Sequence, residues 1–389
     1  MSDSIFQQDK EYVANTYARF PLHLVSGKGS LIYDDQGKEY IDLASGIAVN
    51  TFGLCDNQWQ KAVSDQLSML QHVSNLYYTT PGVQLAKELC TRTGMSKVFF
   101  SNSGAEANEC AIKAARKYAC DTKGPHCYKI VTLKNSFHGR TLTTLAATGQ
   151  DVFHTKFLPL TEGFIYVEAN NVEELTKVLE DDSVAAVMFE VVQGEGGVNP
   201  MTPEFARALT ELAESKDVLL IADEVQTGNG RTGMLYGYMN YSLKPHIVST
   251  AKGLGGGLPI GATLLSEKVK NVFEYGDHGS TFGANPVCCA GALNVLSRLD
   301  DEFLANVRRK SQIIFSTLEG ASGIVSVSGM GLMIGIECEK DASSVINECM
   351  SQGVLVIKAK NKVRLLPALN IPDELLIRSL EIIKNVCKV

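Results

Sequence analysis

Lys252 is the residue with the clearest potential for covalent chemistry. It follows the apolar run Ile247–Thr250 and precedes the glycine-rich stretch Gly253–Gly257. A desolvated lysine has a lowered pKa and is a nucleophile toward carbonyl groups. Most lysines are solvated surface residues, but the apolar run before Lys252 argues against that reading here. The glycines let a bulky group come close, and they lack the spacing of a nucleotide-binding loop.

Asp223 is a second candidate, because it directly follows the apolar run Val218–Ala222. A carboxylate at the end of a buried strand is poorly solvated and needs a cationic partner. That partner is either the protonated ring nitrogen of a ligand or the guanidinium of a nearby arginine such as Arg231. The sequence leaves both readings open.

The stretch Ser103–Ala105 lies between the apolar run Lys97–Phe100 and a helical pattern that begins at about Ala105. A strand-to-helix turn of small residues offers free N–H groups and a helix dipole to an anion such as phosphate. Ser103 and Glu106 also have the spacing of a capping box, which needs no ligand.

An anion site, an acid at a strand end and a buried lysine together suit pyridoxal 5'-phosphate (PLP). The phosphate would lie at the helix N-terminus, and Asp223 would pair with the pyridinium nitrogen. Lys252 would carry the aldehyde as a Schiff base. Phe137, which comes shortly after another apolar run, is placed to lie on the ring face.

The central part of the chain contains apolar runs separated by segments long enough for crossover helices, such as Pro203–Lys216. Runs that are apolar at nearly every residue indicate a parallel sheet covered on both faces, and hence an α/β doubly wound domain. A polar cluster follows each run, and the carboxyl ends of parallel strands converge on one crevice. The predicted strands are Lys97–Phe100, Tyr128–Leu133, Val184–Phe189, Val218–Ala222 and Ile247–Thr250.

The two ends of the chain have a different pattern. Gly29–Asp42 predicts a small hairpin with its turn at Asp35–Gly37, and Val287–Arg309 predicts one long helix. Short strands around Ser326–Val327 and Leu332–Glu337 and a helix from Pro372 follow. We therefore expect a smaller α+β domain built from residues 1–50 and 281–389, and a large domain over residues 51–280.

Composition excludes several classes of protein. With 36 Lys and Arg against 43 Asp and Glu, the net charge is -7, which argues against a nucleic-acid partner. The ten cysteines and seven histidines form neither C-x-x-C nor H-E-x-x-H, so a metal site has no support. The N-terminus has no signal-peptide pattern, and the scattered cysteines are typical of reduced thiols. We expect a cytoplasmic protein without a membrane partner.

From about Gly29 to Pro367 the chain resembles the class-III (ornithine-type) PLP-dependent aminotransferases. The resemblance rests on six motifs in the right order, which are FFSNSGAEANECAIKAARKY, SFHGRTLTTLAATGQ, VVQGEGGV, LLIADEVQTGNGRTG, STAKGLGGGLPIGA and HGSTFGANPVCCAGA. It implies a type I PLP-transferase fold and a homodimer with shared active sites.

The resemblance also implies roles for individual residues. Lys252 and Asp223 would be catalytic, with Lys252 as the proton carrier. Glu195 and Arg364 resemble a pair in which the arginine takes the 2-oxoglutarate α-carboxylate once the glutamate moves aside, and Arg140 would bind a substrate carboxylate. The other implied contacts are Ser103, Gly104, Ala105, Phe137, Glu190, Val225 and Gln226 to the cofactor, Thr281 to the phosphate of the neighbouring subunit's cofactor, and Ser280 to the substrate.

Two stretches depart from the family pattern. Gly53–Asn57 replaces Gly-His-x-His-Pro, and Glu190–Gln193 replaces Glu-Pro-x-Gln. Neither departure removes a group that does chemistry, although the first lies near the expected subunit contact, where it would alter substrate entry.

The implied activity moves the δ-amino group of N-acetylornithine to 2-oxoglutarate. Succinylornithine, succinyldiaminopimelate, ornithine and 4-aminobutyrate remain alternative amino donors. A decarboxylase or racemase of the same fold would share Lys252 and Asp223, and a non-catalytic relative is a further alternative. Glu195 with Arg364 favours a transaminase with two different acids, and the intact Lys252 argues against a non-catalytic protein.

Overall fold

The computed structural model describes residues 4–388 of the 389-residue chain. The helices in this range are α1 (Ile5–Tyr12), α2 (Ser45–Ala48), α3 (Asn57–Met69), α4 (Thr80–Thr93), α5 (Gly104–Lys123), α6 (Leu142–Ala147), α7 (Val172–Val178), α8 (Pro203–Lys216), α9 (Pro286–Ser297), α10 (Asp301–Leu318), α11 (Ala342–Ser351) and α12 (Asp373–Cys387). Short 3-10 turns cover Asp151–Phe153, Gly237–Tyr241 and Lys252–Leu254.

The strands of the same range form one large and three smaller sheets. They are β1 (Leu24–Lys28), β2 (Leu31–Asp34), β3 (Glu39–Asp42), β4 (Lys97–Ser101), β5 (Lys129–Leu133), β6 (Phe164–Val167), β7 (Val184–Phe189), β8 (Val192–Gln193), β9 (Asn199–Pro200), β10 (Leu219–Asp223), β11 (Ile247–Thr250), β12 (Gly261–Leu265), β13 (Ile324–Met330), β14 (Met333–Cys338), β15 (Val354–Leu355), β16 (Ile357–Ala359) and β17 (Lys362–Leu365).

The large sheet has the strand order β4-β12-β11-β10-β7-β5-β6. Its strand pairs are parallel except for the two that involve β12, which runs antiparallel to both β11 and β4. All five predicted strands belong to this sheet, so the predicted doubly wound, mostly parallel sheet is confirmed. The added strands β6 and β12 are short apolar segments that the sequence analysis did not single out.

Alternation of side chains explains why the central strands are apolar at every position. In β7, Val187 and Phe189 pack into the main core cluster, whereas Ala186 and Met188 pack on the other face beside Ala111 and neighbouring residues of α5. Both faces are therefore covered, and each large side chain so buried contributes roughly 1.5–3 kcal/mol to folding. This core fixes the strand ends from which the polar clusters emerge.

Both ends of the chain contribute to one small sheet. Its order is β1-β2-β3-β15, and the parallel pair of β3 with β15 joins the N-terminal hairpin to a segment late in the chain. A second sheet, β13-β14-β17-β16, is antiparallel and carries Arg364 on β17. The domain boundaries at residues 50 and 280 stay predictions.

The single helix predicted over Val287–Arg309 is wrong, because two helices, α9 and α10, occupy this stretch. Asp300 starts α10 as its N-cap, and its carboxylate accepts a hydrogen bond from the backbone N–H of Phe303 at 2.8 Å. Just before it, Arg298 is the C-cap of α9 and pairs with Asp56, at 2.6 Å between Nη1 and Oδ1. Asp56 lies in the stretch that departs from the family pattern, and it also caps α3.

No helix within residues 4–388 is long and apolar enough to cross a membrane.

Candidate active site

A cavity of about 500 Å³ opens at the carboxyl ends of the parallel strands of the large sheet. Ligands of open α/β sheets bind at this edge, because the loops that follow the strands converge there. The predicted site residues that line this cavity are Ser103, Gly104, Ala105, Phe137, Arg140, Glu190, Asp223, Val225, Gln226 and Lys252.

The N-terminus of α5 forms one wall of the cavity. Ser103 is the N-cap of this 20-residue helix, and its hydroxyl accepts a hydrogen bond from the backbone N–H of Glu106 at 3.2 Å. The helix geometry leaves the N–H groups of Gly104 and Ala105 without intrahelical acceptors. A Cβ on Gly104 would lie 2.6 Å from Cγ1 of Val225, so this position has room for glycine alone. The cap therefore leaves these N–H groups available to an anion.

Asp223 is buried at the end of β10 and is held by three donors. Its Oδ2 accepts from Asn108 Nδ2 at 2.8 Å and lies 2.7 Å from His138 Nδ1, and its Oδ1 accepts from the backbone N–H of Val225 at 3.0 Å. With its hydrogen on Nδ1, the buried His138 ring donates to the carboxylate. Three hydrogen bonds thus orient the Asp223 carboxylate beside the cavity.

The alternative arginine partner for Asp223 is wrong. Arg231 is buried elsewhere, and its Nη1 donates to the carbonyl oxygens of Leu332 at 3.0 Å and Pro367 at 2.6 Å. Burial lowers the pKa of this guanidinium to about 9. Arg231 thus connects the loop after β10 to the C-terminal part of the chain.

Lys252 begins the 3-10 turn that follows β11 and has a left-handed backbone, with φ at 45°. Burial lowers the pKa of its ammonium, and the nearby carboxylate of Glu195 partly opposes this effect. A lowered pKa increases the neutral, nucleophilic fraction of the amine at neutral pH.

Glu190 lies beside Asp223 and accepts a hydrogen bond from the backbone N–H of Phe137 at 3.0 Å. Burial, together with the negative charge of Asp223, raises the pKa of Glu190 well above its usual range. A raised pKa favours the protonated form of Glu190, so this residue adds less negative charge beside Asp223 than an ordinary glutamate would.

Glu195 and Arg364 form a two-point ion pair behind Gln226. Nη1 of Arg364 lies 2.6 Å from Oε1 of Glu195, and Nη2 lies 3.3 Å from Oε2. Gln226 donates to Glu195 at 3.3 Å and accepts from Arg364 at 3.0 Å, so it joins the pair to the cavity. Burial is the largest single effect and would raise the pKa of Glu195, but the charge and hydrogen bond of Arg364, together with Lys252 and Gln226, lower it on balance. Two ions held together this way neutralise each other.

Phe137 and Arg140 lie at the entrance side of the cavity. The guanidinium of Arg140 is exposed and lies 5.1 Å from the centroid of the Phe137 ring. Phe153 packs edge-on against the same ring at 5.9 Å. The aromatic ring is thus held in place, and Arg140 offers a free cation to an anionic group that enters.

Ser280 and Thr281 lie outside the cavity lining. The hydroxyl of Ser280 accepts hydrogen bonds from Asn102 Nδ2 at 3.1 Å and from the backbone N–H of Gly283 at 2.9 Å. Thr281 is exposed to solvent. Within a single chain, therefore, Thr281 does not reach the anion site at the start of α5.

Sequence reasoning missed two contacts of Asp223, namely Asn108 and His138. His138 belongs to the polar cluster after β5, but no spacing rule pairs that cluster with the end of β10. Asn108 lies one turn inside α5, where a buried amide on an otherwise apolar helix face is a signal that a polar partner lies opposite.

The chemistry of these groups fits PLP. The free N–H groups at the start of α5 suit a phosphate, Asp223 suits a protonated ring nitrogen, and Lys252 suits an aldehyde. Phe137 offers an aromatic face beside them. No cluster of three or more His, Cys, Asp or Glu that would hold a metal ion occurs between residues 4 and 388.

The comparisons with known proteins agree with this geometry. The chain is 49% identical over 387 residues to the acetylornithine aminotransferase of Haemophilus ducreyi, covering 99% of this chain and 98% of that protein. The solved N-acetylornithine aminotransferase of Stenotrophomonas maltophilia K279a matches with a TM-score of 0.85 at 34% identity, covering 98% of each chain. An ornithine aminotransferase from Toxoplasma gondii, whose structure shows partial occupancy of PLP at the active site, matches with a TM-score of 0.93 at 32% identity, covering 98% of this chain and 93% of that one.

The family model "Aminotransferase class-III" matches residues 12–387, which is nearly the whole chain. The resemblance read from the sequence motifs is therefore confirmed, together with the fold it implies. This chain belongs to the class-III aminotransferase family.

Proposed function

We propose that this PLP-dependent enzyme transfers the δ-amino group of N-acetylornithine to 2-oxoglutarate, giving N-acetylglutamate semialdehyde and glutamate, a step of arginine biosynthesis. The Glu195–Arg364 ion pair, next to the cavity that Lys252 lines, is the observation that supports a reaction with two different acid substrates. The 49% identity to an acetylornithine aminotransferase supports the choice of amino donor.

Five residues would hold the cofactor. Gly104 and Ala105 would offer backbone N–H groups to its phosphate, Asp223 would pair with its ring nitrogen, Phe137 would offer an aromatic face to its ring and Lys252 would bind its aldehyde. When bound, PLP supplies an electron sink that stabilises the charge left after a proton is removed from the amine-bearing carbon.

Lys252 moves that proton. Its lowered pKa favours the neutral amine, which would accept a proton from the δ-carbon of the donor and deliver it to the carbon that was the aldehyde of the cofactor. Asn108 and His138 hold the Asp223 carboxylate in one orientation, so it would need no rearrangement to pair with a protonated ring nitrogen.

Arg140 and Arg364 each bind the α-carboxylate of a different substrate. Arg140 binds the α-carboxylate of N-acetylornithine while Glu195 keeps Arg364 neutralised. When 2-oxoglutarate enters, Glu195 moves aside and Arg364 binds its α-carboxylate, so one pocket accepts acids of different length. Glu195 is about one-third exposed, which leaves it room to move, whereas Arg364 is 3% exposed and stays in place.

The first prediction concerns the amino donor. We expect kcat/KM for N-acetylornithine to exceed that for ornithine by at least roughly tenfold, with 2-oxoglutarate as acceptor. Free ornithine carries an α-ammonium that would be desolvated near Arg140 without a partner, and an unpaired buried charge is costly. The measurement is kcat/KM for N-acetylornithine, N-succinylornithine, ornithine and 4-aminobutyrate.

The variant Arg364→Ala provides the control for this prediction. This variant should raise the KM for 2-oxoglutarate far more than the KM for N-acetylornithine, because Arg364 binds the acceptor. A higher kcat/KM for ornithine or 4-aminobutyrate than for N-acetylornithine would contradict the proposed donor but leave the cofactor chemistry intact. A higher kcat/KM for N-succinylornithine would assign the closely related succinylornithine activity.

We also propose a homodimer with shared sites. The exposed apolar residues Leu76, Tyr77 and Tyr78 lie next to the loop of Thr281, because Asn75 Nδ2 donates to the carbonyl oxygens of Ser280 and Gly283 nearby. Such a patch is typical of a protein interface. In a dimer, Thr281 would reach the phosphate in the partner's cavity. The cytosol is the compartment we propose, since the ten cysteines are free thiols.

Hybrid dimers test the shared site. Thr281→Ala and Lys252→Ala chains should each be poorly active alone, but a hybrid of the two contains one cavity with Lys252 from one chain and Thr281 from the other. We expect each hybrid dimer to regain the activity of one wild-type site. Activity no greater than the sum of the two homodimers would contradict sharing.

A further inference from the structure

The backbone on both sides of Lys252 is held by buried side chains from distant parts of the chain. Thr51 Oγ1 donates to the carbonyl oxygen of Gly253 at 2.8 Å. Asn229 Nδ2 donates to the carbonyl oxygen of Ala251 at 3.2 Å, and to Thr250 Oγ1 at 3.0 Å. The two carbonyl groups that flank Lys252 are thus each bound by one side-chain donor.

This arrangement matters because the backbone of Lys252 is unfavourable. Its φ of 45° lies in the left-handed region, where residues other than glycine and asparagine are rarely found. Such a conformation persists when the surrounding structure imposes it. The hydrogen bonds from Thr51 and Asn229 are side-chain contacts directly on either side of Lys252.

Thr51 is itself anchored through its backbone. It follows the left-handed turn α2, in which Ser45, Gly46, Ile47 and Ala48 all have positive φ. Its carbonyl oxygen accepts a hydrogen bond from the backbone N–H of Leu369 at 2.9 Å. With 1% of its surface exposed, Thr51 is a buried, rigidly placed donor.

Asn229 donates to the other carbonyl from the loop that follows Asp223. Its own φ is 56°, a left-handed conformation that asparagine tolerates better than most residues, and it is 2% exposed. The predicted partner of the ring nitrogen therefore directly precedes the loop that carries one of the donors that fix Lys252.

We propose that Thr51 and Asn229 are positioning residues that fix the left-handed backbone at Lys252 and so aim its Nζ into the cavity. The proposal rests on the proposed PLP chemistry of Lys252. Among the described residues that line the cavity, neither Thr51 nor Asn229 appears. They act through the lysine and touch neither cofactor nor substrate.

Thr51→Val tests the proposal, because valine has the shape of threonine without the donor. We expect three effects: a roughly tenfold slower rise of visible absorbance when the apoenzyme is mixed with PLP, a changed visible circular dichroism of the loaded enzyme, and a roughly tenfold lower kcat with little change in the KM for the amine. Thr51→Ser keeps the hydroxyl and should restore all three.

Asn229→Gly is the second test, and it keeps the proposal testable if Thr51→Val does not fold. Glycine adopts a positive φ freely, so this substitution removes the amide donor without backbone strain. The same slower attachment of PLP and altered dichroism are expected.

Thr317→Val is the matched control. Like Thr51, Thr317 donates its hydroxyl to a backbone carbonyl oxygen, here that of Ile313 at 2.7 Å, but it does so on α10. Its loss should change thermal stability alone. If Thr51→Val and Asn229→Gly behave like Thr317→Val in attachment rate and dichroism, the positioning role is wrong. If the wild-type chain itself develops no visible band with PLP, the proposed function fails and this inference fails with it.

Discussion

Replacement of Lys252 by alanine is expected to lower kcat by roughly 10³-fold or more while PLP still binds. The variant loses both the covalent attachment point and the group that moves the proton. The N–H groups of Gly104 and Ala105, the Phe137 ring and the Asp223 carboxylate remain, so a noncovalent complex should form. Borohydride treatment followed by peptide mapping should fix the cofactor to Lys252 in the wild-type chain. The variant should retain no fixed cofactor.

Lys310 provides a matched control, because it is another buried lysine with a pKa lowered by burial. Its Nζ donates to the carbonyl oxygen of Leu369 at 3.2 Å, away from the cavity lining. Lys310→Met should lose stability but keep the visible absorbance band and kcat. Transamination by Lys252→Ala within tenfold of wild type would overturn the role given to Lys252.

The cavity could be predicted from the sequence because strand ends in a parallel sheet converge. Asp223 and Lys252 are 29 positions apart in the chain, yet each directly follows an apolar run, and those runs, β10 and β11, are neighbours in the sheet. The convergence of parallel strand ends therefore predicts that Asp223 and Lys252 lie at the same edge of the sheet, without knowledge of any contact. The motifs then extend this reading to the residues on the neighbouring loops.

The residues that orient this chemistry could not be predicted in the same way. Asn108 reaches Asp223 from inside α5, and Thr51 reaches the turn of Lys252 from a segment 201 positions earlier. Such contacts depend on how helices and loops pack over the sheet. The local hydrophobic periodicity of the sequence does not predict that packing. The break between α9 and α10 differs, because Asp300 caps α10 through the backbone N–H of Phe303 and is a local signal that the helical pattern concealed.

Asp223→Asn is expected to lower the rate of transamination by roughly 10²–10³-fold with a smaller loss of PLP affinity. Asparagine has the same shape but no charge, so the ring nitrogen loses the partner that keeps it protonated and the electron sink weakens. Proton removal should become more rate-limiting. Deuterium at the δ-carbon of the donor should therefore produce a larger isotope effect on kcat in the variant than in the wild-type chain.

Glu224→Gln separates this electrostatic role from the ordinary cost of changing a buried acid. Glu224 is the next residue, and its carboxylate accepts hydrogen bonds from Thr227 Oγ1 and from the backbone N–H groups of Gly237 and Tyr238, each at 2.7 Å. Burial raises its pKa to about 7. Because it lies outside the cavity lining, its substitution should cost about 1–3 kcal/mol of unfolding free energy and leave the isotope effect unchanged. If Asp223→Asn shows that same pattern, with stability lost but the rate and isotope effect kept, then Asp223 is a structural acceptor for Asn108 and His138, and the ring nitrogen must be stabilised by another group.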